Sequence, residues 1–321
     1  MPWENIFSVV MLIVGLFLLI KGADWFVEGA SSIAKALKIP SLVIGLTLVS
    51  VGTSMPEFSV SLQSSLAGLN DMGIGNVIGS NIFNTFVVIG ASAIFVPLVI
   101  SKEMKKYDLP ILMCIYLLLI LFAFVISSGV IEVWESIIIF SITILYIGFL
   151  IFRSRQEIKN CKEEYVPTRK WWLNVILVIV GAAGIIFGGD FVVENASYIA
   201  GKLGMSDLLV GLTIVALGTS LPELVTSMVA AKKGENDIAI GNAIGSSVFN
   251  ITLILGFCSI VMPAKVEMSS LVDCLVMLAS AVMVFVFSYK SMKVHKWQGI
   301  LMLVIYVLYV VYIVLRNIYH F

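Results

Sequence analysis

The sequence predicts an all-α polytopic membrane protein, ten transmembrane helices arranged as two inverted-topology five-helix repeats. Three observations carry that prediction. Of 321 residues, 60% are hydrophobic and 12% charged, with a mean hydropathy of +1.07, whereas soluble domains carry about 25% charged residues. Apolar runs of about 20 residues, long enough to cross a bilayer, recur along the whole chain. Finally, the stretch Gly45-Leu-Thr-Leu-Val-Ser-Val-Gly-Thr-Ser-Met-Pro-Glu57 returns as Gly211-Leu-Thr-Ile-Val-Ala-Leu-Gly-Thr-Ser-Leu-Pro-Glu223.

The spans fall near 4–22, 41–66, 72–97, 109–128, 132–152, 172–200, 207–232, 238–262, 269–289 and 297–316. The first lacks a basic start and a small-residue cleavage site, so it reads as a span and not a removable signal. It continues as an amphipathic stretch to about Lys38, because Lys21, Asp24 and Glu28 recur at helical spacing beside Trp25, Phe26 and Val27. Lysines and arginines in short loops stay in the cytoplasm. Lys35, Lys38, Lys102, Lys105, Lys106, the Arg153 to Lys170 loop, Lys232, Lys233, Lys290, Lys293 and Lys296 all fall on one side, against Lys202, Lys265 and Arg316 on the other. The expected layout is a multi-pass protein of the cell membrane with both termini outside. It divides into a first repeat (1–152), a cytoplasmic connecting loop (153–171) and a second repeat (172–321). That loop is too short for a folded domain.

Net charge is zero, which gives no electrostatic case for nucleic acid. Cys114, Cys161, Cys258 and Cys274 have no paired metal spacing and read as packing residues. Trp171, Trp172 and Trp297 fit an interfacial belt, and His295 and His320 lie outside the spans.

A shift of 166 positions takes Glu57 to Glu223, Ser80 to Ser246, Asn84 to Asn250, Asp24 to Asp190 and Glu28 to Glu194, without a gap from about Gly22 to Gly90. Five spans per half make the two copies enter the membrane from opposite faces. Such repeats place substrate near the midplane between them and support alternating access. A carboxylate within a span persists mainly where it faces a cavity or a bound ion. Thr53 and Glu57, Ser80 and Asn84, Thr219 and Glu223, Ser246 and Asn250 each share a helix face at i, i+4. Pro56 leaves the carbonyl of Gly52 without its helical donor, as Pro222 does for Gly218, and in lipid such a carbonyl needs another donor or a cation. With Gly52 and Gly218 allowing a bend, each helix should break beside its glutamate. Carboxylates, hydroxyls, amides and freed carbonyls form a hard-cation ligand set of the type Ca²⁺ takes, 6–8 oxygens at about 2.3–2.6 Å. The absence of histidine or cysteine beside them argues against zinc and copper.

Other polar features have quieter readings. Gly75-x-x-x-Gly79 and Gly241-x-x-x-Gly245 are expected to be close-packing faces, and Asp71 and Asp237 helix N-caps. Asp24 with Glu28, and Asp190 with Glu194, either stabilise helix ends near water or line a path that concentrates cations. Asp273 reads as an end-of-span charge.

The motifs Gly52-Thr-Ser-Met-Pro-Glu57 with Gly75-Asn-Val-Ile-Gly-Ser-Asn-Ile-Phe-Asn84, and Gly218-Thr-Ser-Leu-Pro-Glu223 with Gly241-Asn-Ala-Ile-Gly-Ser-Ser-Val-Phe-Asn250, resemble those of the cation/calcium exchanger superfamily, sodium/calcium exchanger branch. The likeness extends to Lys296-Trp-Gln-Gly-Ile-Leu before the last span. It implies an antiporter that expels Ca²⁺ in exchange for entering Na⁺. By the same resemblance Glu57 and Glu223 are the central calcium ligands, joined by backbone oxygens of Thr53 and Thr219. Sodium would use those glutamates with Ser54, Ser80, Ser220 and Ser246 and the backbone carbonyls of Ser50 and Ala216, and Asn84 and Asn250 would complete the centre. Several prokaryotic and potassium-dependent members of the superfamily carry Asp where this chain has Asn250, while animal sodium/calcium exchangers have Asn in both seats. Two and three Na⁺ per Ca²⁺ therefore stand as alternatives. So does Ca²⁺/H⁺ antiport on the same glutamates, and a channel would use the same ligands without needing mirrored broken helices. No span contains histidine and no metalloprotease motif is present, which argues against an enzyme. The expected partners are the lipid bilayer and the transported Ca²⁺ and Na⁺, with no cofactor and no obligate protein partner.

Overall fold

Backbone in hydrocarbon must satisfy its own N–H and C=O groups, and the computed structural model, which describes residues 2–68, 70–127, 129–160, 170–203 and 216–319, is helical almost throughout. Among the described residues, eight helices are long and apolar enough to cross a membrane, and a ninth span is a bent pair. The chain runs through α1 (Pro2–Ala36), the bent pair α2 (Ser41–Thr53) and α3 (Met55–Leu66), α4 (Gly73–Phe95), α5 (Met104–Ile126) and α6 (Val133–Asn160). The second half follows with α7 (Trp171–Lys202), α8 (Ala216–Gly218), α9 (Leu221–Lys232), α10 (Asn236–Val261), α11 (Ser270–Ser291) and α12 (Lys296–Tyr319). The span expected at 207–232 is described only from Ala216 onward. Cys161, most of the connecting loop, the Gly211 end of the second motif and His320 lie outside the described residues.

The amphipathic continuation of the first span forms one 35-residue helix with it. α1 crosses α7 through small residues: a Cβ at Gly22 would meet the Ile185 amide nitrogen at 2.7 Å, and one at Gly181 the Phe26 amide nitrogen at 2.6 Å. Only glycine admits that approach of two backbones. On their outer sides, Ile13 and Phe17 of α1 and Ile179 and Phe187 of α7 are exposed, as a lipid-facing surface requires.

The outer helices extend the repeat beyond the motifs. Asp108 on α5 accepts hydrogen bonds from Tyr146 (3.1 Å) and Arg153 (2.9 Å) on α6. Asp273 on α11 does the same with Tyr309 (3.0 Å) and Arg316 (3.0 Å) on α12. Asp273, an end-of-span charge in the first turn of α11 as expected, is also an ion-pair partner. Two short antiparallel pairs cross between halves: β1 (Leu98–Val99) with β4 (Lys293–Val294), and β2 (Val130–Ile131) with β3 (Ala264–Lys265). Each half lends one strand to each pair, so the halves are tied together twice.

Three expectations are corrected. Asp237 is not the N-cap of its helix; Gly234, at φ +78°, ends the preceding turn early, Glu235 takes the cap position, and Asp237 falls in the first turn. Helix Asn70–Phe83 likewise starts before Asp71. Of the cysteines, Cys258 and Cys274 are buried, but Cys114 is exposed on its helix.

Candidate functional site

The bend separating α2 from α3 measures 49° and falls at Ser54 (φ −85°, ψ 9°), with Pro56 opening the next helix. Ser220 (φ −94°, ψ 5°) and Pro222 repeat it in the second half. Gly52 stays helical, contrary to its expected part in the bend. It serves close approach instead, since a Cβ there would come within 3.1 Å of the Phe26 ring. Because each helix restarts after its break, Glu57 and Glu223 sit in a first turn, where unpaired N–H groups and the helix dipole favour negative charge. Both are fully buried.

The glutamates are held across the halves. Ser220 donates to Glu57 Oε1 at 2.9 Å, and Ser54 donates to Glu223 Oε1 at 2.8 Å. Ser80 Oγ lies 3.1 Å from Ser220 Oγ, and Ser246 Oγ lies 3.3 Å from Glu223 Oε1 and 3.4 Å from the Ser50 carbonyl. Eight of the residues singled out in the sequence thus gather on the two glutamates: Ser220 and Ser80 with Glu57, and Ser54, Ser246, Ser50 and Thr53, the last 3.3 Å from the Ser50 carbonyl, with Glu223. The second oxygen of each glutamate has no partner among the described residues.

Asn84 and Asn250 are buried at the start of π-helical turns, Asn84–Ile89 and Asn250–Leu255, irregularities that often accompany functional sites. Asn250 donates to Asn81 Oδ1 at 3.2 Å. Its own oxygen, and both amide atoms of Asn84, lack partners among the described residues. Ala216 opens α8, and positions 211–215 before it lie outside the described residues.

Sequence reasoning passed over Asn76, Asn242 and Asn81. Asn76 donates to Ser61 Oγ (3.0 Å) and the Glu57 carbonyl (3.4 Å), and Asn242 to Ser227 Oγ (3.0 Å) and the Glu223 carbonyl (3.3 Å). Their signal was present, since the 166-residue shift relates them and both follow the first glycine of a Gly-x-x-x-Gly. Asn81 had none, because its counterpart is Ser247.

The two acidic pairs differ. Asp24 and Glu28 are engaged by Lys233, at 2.6 and 3.8 Å, whereas Asp190 and Glu194 line a cavity of about 600 Å³ that also touches Pro56, Gln63, Gly218, Thr219 and Pro222. Thr53, the counterpart of Thr219 by the 166-residue shift, is fully buried. Gly241 and Gly245 lie against the backbone of Gly45 and Leu46, where an added Cβ would approach to 3.1 and 2.8 Å. This bears out the close-packing reading for the second half; the matching positions for Gly75 and Gly79, 211 and 212, lie outside the described residues.

The family described as "Sodium/calcium exchanger protein" matches residues 7–153 and 173–315. The chain is 35% identical over 310 residues to the putative antiporter CaxA of Alkalimonas amylolytica, covering 94% of this chain and 96% of that one. It is 32% identical over 334 residues to the sodium/calcium exchanger MaX1 of Methanosarcina acetivorans, covering 92% and 95%. A solved structure of the sodium-calcium exchanger NCX_Mj, soaked with zero Na⁺ and Ca²⁺, superposes with a TM-score of 0.83 at 31% identity over 96% of this chain and 99% of that one. With both halves matched and these two relatives covered almost end to end, the chain belongs to the sodium/calcium exchanger family and is a membrane cation antiporter.

Proposed function

We propose that the protein exchanges Na⁺ for Ca²⁺ by alternating access at the centre between its halves, extruding Ca²⁺ from the cytoplasm. The observation that carries this reading is the half-satisfied state of both glutamates, each with one oxygen held by a serine of the other half and its second oxygen unpartnered among the described residues. Left so, a buried carboxylate is heavily penalised; a cation between the two removes the penalty. Ca²⁺ is held by Glu57 and Glu223 with backbone oxygens of Thr53 and Thr219. Na⁺ uses the same glutamates with Ser54, Ser80, Ser220, Ser246 and the carbonyls of Ser50 and Ala216, and Asn84 and Asn250 complete the centre.

Exchange follows from charge. The pair contributes −2, one Ca²⁺ neutralises it, and closing an empty charged site is expensive. The carrier therefore changes facing when loaded with Ca²⁺ or Na⁺ and not when bare. Three Na⁺ per Ca²⁺ would move one net charge, worth about 2.3 kcal/mol per 100 mV; two would move none. The division into repeats 1–152 and 172–321 around a cytoplasmic loop 153–171 is supported by the two matched stretches, which break at the same place. The lysine distribution supports termini outside the cell membrane.

The test is calcium uptake into proteoliposomes driven by an outward sodium gradient, with current recorded. Sodium-dependent uptake supports the reading, and the current gives the ratio. Uptake driven by a pH gradient with no sodium present would assign Ca²⁺/H⁺ exchange instead, and flux without a counter-ion would assign a channel.

A further inference from the structure

Asn76 and Asn242 each bridge three groups. On its own half, each amide donates to a serine at 3.0 Å and to the backbone carbonyl of the site glutamate, at 3.4 Å for Asn76 and 3.3 Å for Asn242. Toward the other half, each amide oxygen accepts from the threonine before the break: Thr53 reaches Asn242 at 3.0 Å, but Thr219 reaches Asn76 only at 3.5 Å. The own-half distances repeat closely, while the cross-half distances do not. The long one lies at the limit of a hydrogen bond, and its threonine lines the 600 Å³ cavity. The short one belongs to the side where the threonine is fully buried.

We propose that Asn76 and Asn242 are positioning residues for exchange. Each fixes the backbone of its own glutamate to the threonine of the opposite half, and the Asn–Thr bond is tight on the closed side of the centre and loose on the open side, trading places when the carrier changes facing. In an inverted repeat the second facing exchanges the environments of the two halves. Thr219–Asn76 therefore shortens as Thr53–Asn242 lengthens, and the carbonyls of these two threonines shift with them. This rests on the alternating-access reading above.

The test reads facing directly. In full-length protein with Cys114, Cys161, Cys258 and Cys274 replaced, Gln63→Cys places a thiol on the cavity wall, and Val229→Cys, 166 positions on, is its mirror reporter. Labelling by a polar maleimide in detergent reports which side is open. Asn242→Ala removes the bond made in the facing seen here, so labelling at position 63 should slow about three- to tenfold, the weight of one hydrogen bond, and labelling at 229 should quicken. Thr53→Val should do the same, with no further change in the double variant. Adding Asn76→Ala to Asn242→Ala should restore the original rates. Shifts of the same sign from Asn76→Ala and Asn242→Ala, or no shift at either reporter, would overturn the proposal. Should an asparagine variant fail to fold, Thr53→Val against Thr219→Val carries the same opposite-sign test. Sodium-driven calcium uptake by the unmodified protein is measured alongside; its absence sinks the exchange reading, whereas same-sign shifts in an exchanging protein sink only the asparagine proposal.

Discussion

Ser220 and Glu57, 163 positions apart, share a 2.9 Å hydrogen bond. The second half thus supplies a hydrogen bond to the first half's carboxylate, and Ser54 of the first half donates one in turn to Glu223 Oε1. Each buried glutamate is held by a serine of the other half.

Replacing Glu57 or Glu223 by Gln keeps the shape and the acceptor for the serine but removes one of two charges matched to a divalent ion. Calcium uptake should fall by about a hundredfold or more, since the one remaining carboxylate leaves a buried divalent ion with a charge the neutral ligands cannot match. The protein should still elute as a folded species. Strong uptake by either variant would refute the site.

Ser54→Ala and Ser220→Ala each remove a hydrogen bond to a buried carboxylate, worth about 1.5–3 kcal/mol when one partner is charged. Calcium affinity should weaken roughly ten- to hundredfold, and by similar factors for the two, because their geometry is mirrored. Calcium titration of purified protein checks this, and a large inequality would argue against a shared centre.

Asn250→Asp adds a buried carboxylate and removes the donor to Asn81. The extra charge should admit another cation or proton, changing the current per calcium or the pH sensitivity more than calcium affinity. Voltage-clamped proteoliposomes and a pH series read both.

Arg153→Met leaves Asp108 buried with its charge unmatched and should cost about 3–5 kcal/mol, visible as a lowered midpoint of thermal unfolding in detergent. Combining it with Asp108→Leu should recover most of the loss. The mirror pair is less buried, with 17% and 11% of the Arg316 and Asp273 side chains exposed against 7% and 0% for Arg153 and Asp108. Arg316→Met should therefore cost less.

Much of the site was legible because lipid is an unforgiving solvent. A glutamate, a proline and hydroxyls inside an apolar run need a reason to be there, and a second copy at constant spacing supplied it. Asn76 and Asn242 showed the same spacing, but their role depends on bonds to Thr219 and Thr53 across the halves, which spacing does not reveal. Asn81 broke the repeat and so could not be found by symmetry. The ion pairs of Asp108 with Arg153 and of Asp273 with Arg316 link residues more than 40 positions apart on neighbouring helices, beyond any helical periodicity.

The sequence by itself determined a membrane protein with an internal repeat, which residues are candidates for its centre, and where its helices break, because composition, repetition and proline act locally. Only the tertiary structure decided that each glutamate is completed by the other half, that Lys233 engages Asp24 while Asp190 faces a cavity, and that the two Asn–Thr bonds are unequal. Those depend on which helix faces meet, and two halves related by a repeat can still rest in unlike environments, as Thr219 beside the cavity and the buried Thr53 do.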